Sequence, residues 1–390
     1  MKNIVYILLT IMFLIISCKK NNETNNKTIK GKKHLTLNKI DLDTIKVDAS
    51  NTSCMGTFFM ENGNIIFADI AFSSLYYYNL EGKYIKRFLG KGRGPKEIPS
   101  TIRNISPVEN TDYFFAFTNG NILYRINKNS KEINNLGQID FKWESYNKKR
   151  PNPESVFNYR INAIFPPVFK FSKINDSIYM FPTYSIKKQF SGYSRKTNAD
   201  LYYKEARTFG FLNINSMKVT EVNGRYPGIY QKYKYVPNFA FQSFEMKNDS
   251  LFVNYAVDSL IHVYLPPYRH PKDLIYSFGF SGINMNQKYY ETKSQKEAQK
   301  RMIKDSKKFG SYHTLKYIPK TNLLFRCYHK GKHVDVDGLQ VYKNYNLIGD
   351  FKVPKNFQVI GYQNSYYYAV KWRPNMYEQT FVFYKFQIKY

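Results

Sequence analysis

The chain has 390 residues, enough for one large repeat domain or two ordinary ones. It carries 59 Lys and Arg against 29 Asp and Glu, and a net charge of +30 points to an anionic partner. Nucleic acid is not the expected partner, because the cations are mostly lysines spread among Asn, Ile and Tyr, and the amino-terminal pattern of residues 1–17 implies export away from cytoplasmic nucleic acid. Two readings of the charge stay open. One is a generally basic, solvated surface; the other is attraction to an acidic glycan, lipopolysaccharide phosphate or an acidic protein.

Residues 1–17, MKNIVYILLTIMFLIIS, place one lysine before an apolar run from Ile4 to Ile16. This is the pattern of a signal peptide, and the run is shorter than the about 20 residues of a membrane span. It closes on Ile15-Ile16-Ser17-Cys18, which resembles the lipobox of bacterial lipoproteins. The resemblance implies cleavage before Cys18 and lipid on its sulfur and new amine, holding the protein on a membrane. Residues 18–33 then read as a flexible tether, because KKNNETNNKTIKGKK can bury almost no apolar surface. Glu23 is the one acid there, whereas surface-export signals of the resembled lipoproteins tend to be acidic. The expected place is therefore the periplasmic face of the outer membrane. An exported compartment permits a Cys54–Cys327 disulfide, and two buried free thiols are the alternative.

Residues 34–390 read as one domain. Short runs rich in Tyr, Phe, Ile, Leu and Val alternate with Asn, Gly, Asp and Lys, which are strand and turn signals. The segment 34–48 supplies an extra strand or two that could complete the last repeat and close a ring. The clearest repeat unit, residues 63–95, parses as strands over 64–69, 74–79 and 84–89. Weaker echoes begin near 112, 175, 248, 321 and 363, each a polar turn, an apolar strand, a gap and an aromatic strand. Six such units cannot bury both sheet faces alone, and radial packing solves that. The expected fold is all-β, a six-bladed β-propeller with one or two inserted helical or loop segments. The excess length falls around 187–208 and 284–316, with an exposed helix over 287–309.

GKGRGPKEIPS, residues 90–100, has three closely spaced glycines but lacks the Gly-Lys-Ser/Thr and following helix of a phosphate loop. Gly63, Asp69, Gly82, Gly90, Gly92, Gly94 and Pro95 match one repeat of NHL-type propellers. The Gly-Arg-Gly-Pro-Lys-Glu form resembles that of six-bladed, NHL- or TolB-like propeller lipoproteins of Bacteroidetes-type bacteria, many of unknown function. Independently of that likeness, glycines permit positive φ and close backbone passage, and proline rigidifies the exit. A structural turn is the first reading of this loop; a ligand site using Arg93, Lys96 or Glu97 is the second.

The stretch 329–338, HKGKHVDVDG, offers His329, His333, Asp335 and Asp337 as metal ligands, although a charged hairpin tip explains it as well. Trp372 and Arg373 fall in a loop, where binding residues concentrate, or Trp372 packs under a turn. No nucleophile motif stands out and no cofactor is expected. The sequence therefore reads as a monomeric, membrane-anchored binding or assembly module for a glycan or an envelope protein. The alternative is an enzyme of envelope or polysaccharide metabolism acting at the channel mouth.

Overall fold

The computed structural model describes residues 27–28, 31–37, 39–141, 154–161, 169–186, 199–232, 239–282, 304, 308–331, 334–374 and 377–388. Two strands precede the first full sheet, β1 (Lys27–Thr28) and β2 (Asp43–Asp48). Blade 1 is β3 (Gly56–Glu61), β4 (Asn64–Asp69), β5 (Ser74–Tyr78) and β6 (Tyr84–Phe88). Blade 2 is β7 (Ile102–Pro107), β8 (Tyr113–Thr118), β9 (Ile122–Asn127) and β10 (Ile133–Gln138). In blade 3 the inner position is shared by β11 (Tyr159–Ile161) and β12 (Ser172–Lys173), which pair with opposite ends of β13 (Ile178–Ser185). A short helix α1 (Ala199–Glu205), β14 (Phe209–Asn213), β15 (Lys218–Asn223) and helix α2 (Ile229–Lys232) follow. Blade 4 is β16 (Gln242–Lys247), β17 (Ser250–Tyr255), β18 (Ile261–Tyr264) and β19 (Leu274–Phe278), with β1 on its outer side. Blade 5 is β20 (Ser311–Ile318), β21 (Leu323–His329), β22 (Val336–Lys343) and β23 (Asn346–Pro354). Blade 6 is β24 (Phe357–Gln363), β25 (Tyr366–Lys371) and β26 (Thr380–Phe386), completed by β2. The protein is a six-bladed β-propeller, to which the short helices α1 and α2 are added.

Side-chain alternation along each strand explains why the ring holds. On β4, Ile65 and Phe67 face blade 6, packing with Phe381 and Phe383, while Ile66 and Ala68 face blade 2, packing with Phe114 and Ile126. Six apolar clusters result, each filling one seam between neighbouring blades. The two cysteines belong to different seams, Cys54 between blades 6 and 1 and Cys327 between blades 5 and 6. Both are free and buried, so the disulfide alternative is not realised, and burial pushes the Cys327 thiol up to about 12.

A second repeat is geometric. The outer strands of blades 1 to 5 each carry a β-bulge within one to three residue pairs of the hairpin from the third strand, at Ile85, Leu136, Thr220, Ile275 and Ile348. A bulge adds right-handed twist and turns an outer strand away from flat edge pairing. The turns have their own chemistry: Asn62, Asn110, Asn121, Asn248, Asn322, Asn344, Asn356 and Asn364 all have positive φ. Asn tolerates that left-handed conformation better than most other side chains, which gives these eight asparagines a structural role.

Residues 311–316 belong to β20, not to an insertion, while the inserted span around 187–208 carries α1 at Ala199–Glu205. The helix expected over 287–309 falls almost wholly outside the described residues. So do the signal segment, Cys18 and residues 18–26 and 29–30 of the tether, but residues 27–28 and 31–33 of that span meet the domain at β1 and along blade 5.

Candidate functional site

The innermost strands all run in one direction, so the propeller has two unlike ends. At the hairpin end lie tight turns such as Asn62–Gly63, Asn248–Asp249, Asn344–Tyr345 and Asn364–Ser365. At the crossover end lie the connections between blades and those joining the second and third strands, including the long ones after β10, β13, β15 and β19.

A cavity of about 100 Å³ runs along the axis and is lined by all six blades. Nearer the crossover end its wall is neutral and polar, with Thr57, Ser243, Thr314 and Gln358. Toward the hairpin end four charges alternate around the channel. Lys170 Nζ lies 2.8 Å from Glu245 and 3.6 Å from Glu109, and Lys316 Nζ lies 3.4 Å from Glu109 and 3.8 Å from Glu245. Each lysine bridges both glutamates, so the ring is electrically closed. The Lys170 ammonium, with Lys316, outweighs burial and holds the Glu109 carboxyl at about 2. Burial alone would lower Lys316, but Glu245 and Glu109 reverse that and hold its ammonium above the ordinary lysine range.

A group whose folded pKa is depressed contributes stability above its ordinary value and loses it as pH falls. The melting temperature should therefore drop as pH falls from 4.5 to about 2, where Glu109 takes its proton. Glu109→Gln should melt lower at neutral pH and show a smaller drop across that window. Equal acid sensitivity of the two proteins in thermal melts would refute the role given to the ring.

The second cluster sits at the crossover end of blade 5. Asp337 is buried and pairs across the sheet with His329. Its Oδ1 lies 2.8 Å from His329 Nδ1, and its Oδ2 accepts the Asn356 N–H at 2.7 Å. His313 comes from a bulge in β20, since Tyr312 pairs with Tyr328 and Thr314 with Cys327. The bulge aims the His313 ring at Asp337, Nε2 to Oδ2 3.6 Å, and neither ring nitrogen makes a hydrogen bond. Burial would raise the Asp337 pKa; the two imidazoles outweigh it and hold the carboxyl well below its usual range.

The sequence-predicted residues distribute as follows. His329 and Asp337 come together, His333 lies outside the described residues, and Asp335 points outward, 96 % exposed, 3.6 Å from Lys355. Asp335 and Asp337 therefore do not converge, because Asp335 precedes β22 and escapes its alternation. Among the described residues no group of three or more His, Cys, Asp or Glu side chains is arranged to hold a metal. His313 carried no sequence signal, because a bulge is not legible in a single strand pattern.

The loop 90–100 joins blade 1 to blade 2 at the crossover end. Glu97 turns back into it, its Oε2 accepting the Gly94 N–H at 2.8 Å, and Ile98 N–H donates to Gly90 O at 2.9 Å. A Cβ at Gly92 would collide with the Glu97 carboxylate. These glycines serve close approach; the positive φ belongs to Leu89, at 68°. Arg93 and Lys96 stay exposed. Asp69 is a turn-former, accepting from Ser53 Oγ at 2.6 Å and the Phe72 N–H at 2.9 Å. Trp372 is half-buried against the blade 6 and blade 1 core, with the Arg373 guanidinium 5.0 Å over its ring.

Comparison with protein families and with curated protein sequences finds no match. Solved structures do match. A member of the DUF4221 family from Bacteroides vulgatus superposes with a TM-score of 0.62 at 15 % identity, over 90 % of this chain and 99 % of that one. A protein from Bacteroides fragilis assigned as exported gives 0.51 at 14 % identity, over 93 % and 100 %. At these identities the likeness is one of fold.

Proposed function

We propose that this protein is an exported propeller, anchored through lipid on Cys18, that binds an acidic glycan over the crossover end of its channel. One observation carries the reading. Blades 5, 6 and 1 present exposed apolar residues at that end, namely Val334, Tyr377, Met55 and Phe72, interspersed with the cations Arg93, Lys96 and Arg373. Sugars stack on apolar and aromatic faces, and the cations supply the attraction to carboxylate or sulfate groups. The channel charges, in contrast, satisfy one another, which leaves the rim as the surface for a ligand. The cell envelope as location fits the signal pattern, and the exported assignment of the B. fragilis protein is consistent with it.

The enzyme reading is favoured by one feature, the Asp337 carboxylate orienting His329 beside His313. The carboxyl that burial pushes up, Asp350, accepts from the Tyr328 hydroxyl at 2.8 Å, and the two channel glutamates are each held by lysines. Binding of alginate and of neutral dextran, measured by calorimetry at two salt concentrations, separates the readings. Alginate binding that weakens with salt, and falls about tenfold in Arg93→Glu with Lys96→Glu, is the expected result. Equal affinity for both polymers, or unchanged affinity in that variant, would overturn it.

A further inference from the structure

Blade edges in this molecule accept added strands. On blade 4, β1 lies parallel to β19, pairing Lys27 with Tyr276 and Thr28 with Ser277. On blade 5, Lys33 bridges Leu347 in parallel, and the His34 N–H donates to Leu347 O at 3.0 Å. On blade 3, Asp140 bridges Lys218 in parallel; its N–H donates to Met217 O and its carbonyl accepts the Val219 N–H, both at 2.8 Å. The receiving strands β15, β19 and β23 all carry the outer-strand bulge, so that bulge does not prevent pairing.

The β6 edge of blade 1 has the same bulge, and among the described residues no strand lies on its outer side. It is also the most open edge. Tyr84, Ile85, Lys86 and Arg87 are exposed in succession, a run found on no other outer strand. Tyr84 and Ile85 expose 51 % and 48 % of their surface. The surroundings are cationic. Lys86 Nζ lies 5.2 Å from the Tyr77 ring centroid, and Lys131 of blade 2 lies 5.4 Å from the same ring. Burial, and then the Lys86 charge, lower the Lys131 pKa. Glu61, the acid that acts on Lys131, is already paired with Lys128 at 2.9 Å.

We propose that β6 is a docking edge for an extended acidic segment of a partner protein, which joins blade 1 as a parallel fifth strand. Main-chain hydrogen bonds would supply affinity. Alternate side chains would supply specificity, the acidic ones meeting Lys86 and Lys131 and the apolar ones covering Tyr84 and Ile85.

The test uses the detergent-solubilised full-length protein and a ten-residue peptide of alternating Glu and Val, with a Gly-Ser peptide as control. Amide hydrogen exchange is followed with and without peptide. The Glu-Val peptide alone should slow exchange across residues 84–88. Lys86→Glu with Lys131→Glu should weaken its binding about tenfold with the melting temperature unchanged. Should that variant fail to fold, Lys86→Gln with Lys131→Gln gives a smaller loss of the same sign. Three results overturn the proposal: unchanged exchange at 84–88 with millimolar peptide, protection confined to the crossover end, or protection of 84–88 that grows with protein concentration alone. The last would mean that a second copy of this chain occupies the edge.

Discussion

A chain lacking residues 34–48 should lose its cooperative unfolding transition. β2 pairs with β26 over its whole length, from Asp43 opposite Lys385 to Asp48 opposite Thr380. Among the described residues it is the strand that ties the beginning of the domain to its end. Val47 enters the seam between blades 6 and 1 beside Phe381 and Phe383, and Leu37 enters the seam between blades 5 and 6. Losing each such buried side chain costs about 1.5–3 kcal/mol, and a folded domain has only about 5–15 kcal/mol in total. The larger effect is topological. An open ring of blades has two bare terminal faces, which a closed ring lacks. Denaturation in urea, followed by circular dichroism and by tryptophan fluorescence, should give broad and non-coincident curves. Because β26 ends where β2 begins, moving residues 34–48 to follow Tyr390 through a short turn should restore a single transition. An unchanged melting curve after the deletion would refute ring closure as a requirement for stability.

Arg326→Leu should destabilise the fold by about 3–5 kcal/mol. Arg326 is fully buried on β21, at a position whose neighbour Leu324 is an ordinary core residue of the seam with blade 4. Its Nε donates to Asn254 Oδ1 at 2.7 Å and its Nη1 to Ser259 O at 2.7 Å, while Nη2 donates to Asp258 O. The guanidinium stacks on Tyr312, 3.3 Å from the ring centroid. Neutral acceptors and an aromatic face thus carry a buried cation. Leucine fills much of the volume but leaves three acceptors stranded away from water. Arg326→Lys should recover little, because one ammonium cannot reproduce a planar fork aimed at three oxygens. A loss below about 1 kcal/mol in urea titration would show that the acceptors find other donors.

Legibility in the sequence follows the chemistry of each strand. The strands expected over 64–69, 74–79 and 84–89 agree with β4, β5 and β6 to within a residue, because aromatic and branched residues there sit between glycine and asparagine turns. In blades 1, 2, 3 and 5 the recognisable unit is the second to fourth strands, and in blades 4 and 6 it is the second and third. The innermost strands escaped because they face a polar axis. Thr57, Ser106, Ser243 and Thr314 interrupt the apolar alternation, so β3, β7, β16 and β20 read as ordinary loop-flanking sequence. The axial charge ring was invisible for a related reason. Glu109, Lys170, Glu245 and Lys316 come from four blades, and each alone resembles a solvated surface charge. His329 and Asp337 were legible because a single turn separates them and antiparallel pairing sets them opposite each other.

The way the amino-terminal segment lies on the propeller also decides how the protein bears load. Tension entering from that side does not reach the ring closure directly. It meets the two residue pairs of β1 on blade 4, then the bonds from His34, Thr36 and Leu37 to blade 5, and only then the six pairs of β2. The three attachments lie in series, and the first two, with fewer bonds, stand between that side and the six pairs that close the ring.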